Sequence, residues 1–143
     1  MGNISYEFPI EKDDFERAGE ASSKIKKILR QLGMDSGIIR RVAIGAYEAE
    51  MNIVIHSLGG TIGITIDPET IIITAEDTGP GIENIELAMQ EGYSTAPDRI
   101  REMGFGAGMG LPNMKKCSDS FEIESIVGKG TKIVMKMYLK DGD

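Results

Sequence analysis

Glu48-Ala49-Glu50-Met51-Asn52-Ile53-Val54-Ile55-His56 closes a helical run over residues 38–56, and its reading decides the fold. Asp35 or Ser36 stands where the cap of that helix is expected. Val42, Ala46, Ala49 and Ile53 fall within one narrow sector at about 100° per residue, so this sector faces a core. Glu48, Asn52 and His56 are four apart and drift by only about 40° each around the axis. They form a polar stripe away from the apolar sector. Ile44, Met51 and Ile55 border it, which points to a partly enclosed surface. A carboxylate and a carboxamide on one helical face can set a proton acceptor beside a ligand for a hard cation. By itself the stripe also suits a solvated helix face. Glu50 points elsewhere and reads as plain surface, and His56 reads as structural.

Outward from this helix the pattern changes period. Residues 4–10 alternate apolar and polar side chains as a strand does, with Pro9 at an end or edge. Residues 13–32 turn helical through Phe15, Ala18, Ile25, Ile28, Leu29 and Leu32, and Gly33 sits at the C-terminal cap. Downstream, Gly59-Gly60 breaks the chain, and residues 61–67 and 70–77 read as a hairpin across Pro68-Glu69. Residues 78–107 are rich in glycine, proline and charge, with short helices expected near 85–90 and 98–103. A third helix over 111–117 precedes a closing hairpin, 120–127 and 131–139, around Gly128-Lys129-Gly130. Residues 140–143 read as a frayed tail. This order predicts one domain over 1–143, an α/β two-layer sandwich with a mixed, mostly antiparallel sheet covered by three helices.

Composition agrees with a globular domain. The 143 residues are 41% hydrophobic and 27% charged. The net charge of −7 disfavours non-specific binding to nucleic acid or a membrane surface, both of which need clustered Lys and Arg. A single cysteine, Cys117, excludes a disulfide framework and reads as a small buried apolar residue. No apolar run is long enough for a membrane helix and the N-terminal residues lack a leader pattern, so the expected location is cytoplasmic. The nine methionines read mostly as core filler, with Met89 and Met103 available to an adaptable partner surface.

Two further stretches carry chemistry. Asp77-Thr78-Gly79-Pro80-Gly81 places a carboxylate at the end of an apolar strand, beside backbone that a ligand can approach closely. Gly104-Phe105-Gly106-Ala107-Gly108-Met109-Gly110-Leu111 runs alternate glycines into a helix start, where exposed N–H groups and the positive end of the helix dipole suit phosphate. A turn and a flexible hinge are the plainer alternatives. Two common phosphate motifs are absent: Leu111 breaks the spacing of a dinucleotide fingerprint, and Gly128-Lys129 is followed by Gly130 where a P-loop needs Ser or Thr.

In order, E-x-x-x-N-x-x-x-H, D-x-G-x-G, G-x-G-x-G-L and a final G-x-G-T resemble the GHKL ATPase superfamily, with its Bergerat (histidine-kinase-like) nucleotide fold; the likeness spans Glu48 to Thr131. The resemblance implies that Glu48 is the general base, Asn52 the Mg²⁺ ligand and Asp77 the carboxylate that reads the adenine amino group. It implies that Gly79 and Gly81 line the base pocket, that Gly106, Ala107, Gly108, Met109, Gly110 and Leu111 cradle the ATP phosphates, and that Thr131 lies near the adenine. Residues 82–105 would be the ATP lid, in which Arg99 and Arg101 either reach the γ-phosphate or are solvated arginines on a short helix. A stand-alone domain of this length looks like the anti-sigma-factor serine/threonine kinases. Gly92-Tyr93-Ser94-Thr95-Ala96-Pro97 and the glycine run through Pro112-Asn113 look most like the switch kinase of stressosome signalling (RsbT-like). That likeness implies ATP and Mg²⁺ as cofactors and STAS-domain proteins as phosphoacceptors. It further implies a PP2C-type phosphatase or a sigma factor as partner, and it leaves a homodimer open. The alternative is an anti-sigma factor that sequesters a sigma factor under nucleotide control.

Overall fold

The computed structural model describes residues 3–90 and 110–139. In chain order the elements are β1 (Ile4–Ile10), α1 (Glu20–Gln31), α2 (Ser36–His56), β2 (Gly60–Ile66), β3 (Thr70–Thr78), α3 (Ile85–Ala88), α4 (Gly110–Cys117), β4 (Ser120–Ile126) and β5 (Gly130–Tyr138). The strands form one sheet ordered β1-β2-β3-β5-β4. All four pairings are antiparallel, so the sheet is more uniform than the mixed arrangement expected. Two hairpins supply the ladders β2–β3 and β4–β5. From α4 the chain enters β4 at the edge of the sheet, and the hairpin then lays β5 beside β3, antiparallel to it.

The helices cover one face of the sheet, and α2 packs between α1 and α4. Val42, Ala46, Ala49 and Ile53 are all buried against the strands, as their shared sector predicts. They meet Ile62, Ile64, Ile71, Ile73, Ile133 and Met135. Side chains directly opposite across a ladder share a face. Ile73 pairs with Ile64 and with Met135, and Ile133 pairs with Ile123, which places this apolar set under the helices. Truncating a fully buried isoleucine here to alanine would cost about 2–5 kcal/mol.

Asp35 caps α2 as expected, accepting from the N–H groups of Gly37 and Ile38. Helix α1, by contrast, begins at Glu20 and not at residue 13. Asp13 has φ 56° and Gly19 φ 98°, left-handed backbone that interrupts a right-handed helix. Phe15 still packs against the core, so its apolar spacing reports burial from a turn. The short helix expected near 85–90 is α3, capped by Asn84 Oδ1 on the Leu87 N–H. Its expected neighbour at 98–103, together with Arg99, Arg101, Met103 and the tail 140–143, lies outside the described residues. Among the described residues no helix is long and apolar enough to cross a membrane.

Candidate active site

The sheet register builds one end of the site. Gly60 lies opposite Asp77, Asp77 opposite Thr131, and Thr131 opposite Ser125. These four residues form a transverse row across β2, β3, β5 and β4 on the helix-covered face, where the isoleucine rows give way to polar groups. Asp77 Oδ1 accepts from the Thr131 N–H at 3.2 Å. Burial pushes the Asp77 carboxyl above the usual carboxylate range, and the Thr131 N–H opposes this only in part. Thr131 is buried, and its hydroxyl lies 2.9 Å from Ser125 Oγ. Ser125 Oγ also accepts from the Ile82 N–H at 2.8 Å and lies 3.1 Å from the Gly130 carbonyl. Ser125 therefore ties the segment after Gly81 to the Asp77–Thr131 pair.

Gly79 and Gly81 are held by their surroundings. The Gly79 N–H donates to the Lys129 carbonyl at 3.0 Å, and a Cβ at Gly79 would stand 3.1 Å from Ser57 Cα. Gly81 has φ 76°, and a Cβ there would meet the Ile126 carbonyl oxygen at 2.6 Å. No other residue fits that backbone without displacement. The segment after Asp77 is thus clamped between the end of α2 and the turn that joins β4 to β5.

The other end of the site is built by helices. Glu48, on α2, is half-buried, and its Oε2 accepts from Asn113 Nδ2 of α4 at 2.7 Å. A Cβ at Gly110 would lie 3.9 Å from Glu48 Oε1, so the carboxylate faces the first turn of α4. Leu111 is buried behind that turn. At the far end of α4, Arg41 Nε donates to the Cys117 carbonyl and Arg41 pairs with Asp119 at 3.1 Å. A cation at the C-terminus of a helix also complements its dipole. Two polar contacts thus pin α4 antiparallel along α2. Asn52 lies one turn beyond Glu48, half-buried, and its carboxamide makes no hydrogen bond to another described residue. Gly106, Ala107, Gly108 and Met109 lie outside the described residues.

Four side chains depart from, or add to, the expected set. Glu50 is not surface: it is 2% exposed and its carboxylate accepts from the N–H groups of Gly19, Ala21 and Ser22. Helical position sets its direction, and what it meets there is the uncapped start of α1, which no local pattern announces. Asn113 stood in a quoted motif without a role. Ser125 carried no motif at all, although counting back across the Gly128–Gly130 turn would have put it opposite Thr131. Cys117 is partly exposed, not fully buried, and burial chiefly raises its thiol pKa, keeping it protonated. His56 is half-buried, and desolvation lowers its pKa. Met89 packs against the core.

Residues 39–141 match the family model described as histidine kinase-, DNA gyrase B- and HSP90-like ATPase. The chain is similar to an anti-sigma F factor of Clostridium acetobutylicum, at 40% identity over 100 residues, 66% of each chain. That match spans just under two thirds of the relative. It is also similar to the serine/threonine-protein kinase RsbT of Bacillus subtilis, at 31% identity over 119 residues, 80% of this chain and 84% of that one. An anti-sigma F factor of Clostridium perfringens is 34% identical over 127 residues, 85% of this chain and 87% of the relative. The protein belongs to the histidine kinase-, DNA gyrase B- and HSP90-like ATPase family, in the branch that holds RsbT and the anti-sigma F factors.

Proposed function

We propose that the protein is an ATP-dependent serine/threonine kinase of a partner-switching pathway, transferring the γ-phosphate to a Ser or Thr of a STAS-domain regulator. The observation that carries this is the placement of Glu48: a half-buried carboxylate bonded to Asn113, facing the first turn of α4 and one helical turn from Asn52. In this reading adenine sits at the Asp77–Thr131 row, where the carboxylate oxygen not engaged by Thr131 accepts from the exocyclic amine. The triphosphate runs towards the N-terminus of α4, whose N–H groups and dipole suit anions.

Asn52 fits a magnesium ligand, because its carboxamide has no hydrogen-bond partner among the described residues and a neutral oxygen suits a hard cation that keeps waters and phosphate oxygens. Bound there, Mg²⁺ would neutralise charge on the triphosphate. Asn113 orients Glu48 through Oε2, and Glu48 Oε1 takes no hydrogen bond from another described residue. That oxygen accepts the proton of the incoming hydroxyl as the hydroxyl oxygen bonds to the γ-phosphorus and the bond to the β-phosphate oxygen breaks, releasing ADP. Positioning and electrostatics supply most of the acceleration.

The names of the similar proteins favour a second reading, because two of the three are anti-sigma F factors. In it the protein holds a sigma factor under nucleotide control. Labelled ATP incubated with candidate STAS partners separates the two. Transfer of label to a partner Ser or Thr supports the kinase. Unlabelled partners together with tight, nucleotide-dependent binding of a sigma factor overturn it.

A further inference from the structure

Glu48 and Glu50 lie two residues apart on α2, about 200° around its axis, so their carboxylates leave opposite sides of the helix. Glu48 is tied to α4 through Asn113 at 2.7 Å. Glu50 is tied to the start of α1, where Oε2 accepts from Gly19 N–H at 2.9 Å and Ala21 N–H at 3.2 Å, and Oε1 accepts from Ser22 N–H at 3.1 Å. Helix α1 has no local side-chain cap: its N-cap is Gly19, in left-handed backbone. Glu50 caps it from 28 to 31 residues away. A charged acceptor on three otherwise orphaned N–H groups is held by strong, directional bonds.

The sheet side of α2 offers little of that kind. Its middle is Gly45, Ala46 and Ala49, and a Cβ at Gly45 would already stand 3.1 Å from Met135 Sδ. Small side chains let the helix sit close to the strands, with Val42 and Ile53 packed on either side of them, and none of these apolar contacts is a directional bond. The directional bonds that set the rotation of α2 are then on its flanks: Glu48 and Arg41 to α4, and Glu50 to α1.

We infer that Glu50 is a positioning residue for the site: by fixing the start of α1 to α2 it sets the rotation of α2, and with it the direction in which Glu48 and Asn52 point. This rests on the roles proposed above for those two residues. It separates Glu50 from the end proposed for adenine, which stands on the sheet and meets α2 only at the C-terminal end of that helix.

The test is calorimetry of ATP binding with and without Mg²⁺, in wild type and in Glu50→Gln. The carboxamide keeps the shape but turns an NH₂ group towards an N–H donor and loses the charge. ATP affinity without Mg²⁺ is expected to stay within about twofold, because Asp77 and Thr131 are untouched, while the gain in affinity on adding Mg²⁺ shrinks by about tenfold. Phosphotransfer kcat is expected to fall by about tenfold with KM for ATP little changed, the cost of a small misplacement of Glu48. A residue that merely stabilises the fold would lower the melting temperature and leave both the Mg²⁺ gain and kcat per folded molecule as in wild type; that result overturns the inference. Should Glu50→Gln fail to fold, Glu50→Asp, which keeps the charge with a shorter reach, is read the same way. Wild-type protein that takes up no nucleotide defeats the site assignment itself. A normal Mg²⁺ gain in wild type, shared by the variant, defeats the positioning role alone.

Discussion

The two ends of the site are held by different physics. At the end proposed for adenine, Asp77, Thr131 and Ser125 stand on three adjacent strands, and backbone ladders on both sides of β5 set their spacing. At the end proposed for the phosphates, Glu48 and Asn52 stand on one helix whose contact with the sheet is apolar and whose flanks are pinned by side-chain bonds. A ladder cannot shift by less than a register step without breaking a row of hydrogen bonds. A helix can turn by degrees when one carboxylate lets go. In the proposed reading, recognition of the base is therefore rigid and the geometry of transfer is adjustable.

If the two ends are separable, a substitution at one should leave the other intact. Glu48→Ala is expected to lower phosphotransfer by about 10²–10⁴-fold, the range of a lost general base, while ATP affinity stays within a few fold. A single-turnover assay beside calorimetry reads both numbers, and loss of ATP binding in parallel would show that the ends are not separable. Next in size, Asp77→Asn is expected to weaken nucleotide binding by at least about tenfold, because a carboxylate acceptor of charge-assisted strength becomes a carboxamide. The same substitution should raise the melting temperature of the nucleotide-free protein at neutral pH. The folded pKa of Asp77 lies above its unfolded value, so its ionisation opposes folding as pH rises through the folded pKa. Greater stability with poorer binding would mark Asp77 as a group kept for function.

A smaller effect is expected at the join. Ser125→Ala removes the acceptor of the Ile82 N–H and the partner of Thr131, and should cost about 1–3 kcal/mol of stability by chemical denaturation. It should also weaken nucleotide binding by a few fold without changing kcat at saturating ATP. The smallest is a pH effect. His56 is held below its ordinary pKa by burial, so the unfolded chain binds the proton more readily. Its contribution to stability is present above the unfolded pKa of about 6.5 and declines as pH falls through the interval down to the folded value. Denaturation curves of wild type and His56→Gln should therefore differ more in pH slope just below neutrality than above it.

Much of the fold was legible because its signals are local. The apolar sector of α2, the cap at Asp35, the hairpin across Pro68-Glu69 and the turn at Gly128–Gly130 each arise within a few residues, and each appears where the pattern put it. The start of α1 misled, because Phe15 and Ala18 keep helical spacing while Gly19 takes a left-handed φ that only the folded chain reveals. The partners of the site residues were out of reach for a related reason. Glu48 meets Asn113 across 65 positions, and Glu50 meets the start of α1 across 28 to 31.

Sequence alone determined which chemistry this chain carries: a carboxylate and a carboxamide one turn apart, an aspartate at a strand end before two glycines, and a glycine run into a helix. These are properties of period and spacing, which covalent geometry enforces wherever a helix or strand forms. Tertiary structure alone decided which oxygen faces which donor. Glu48 and Glu50 are the same residue type on the same helix, yet one faces the first turn of α4 and the other is buried against the start of α1. What a carboxylate does depends on what lies within about 3 Å of it, and that is set by how the helices pack on the sheet.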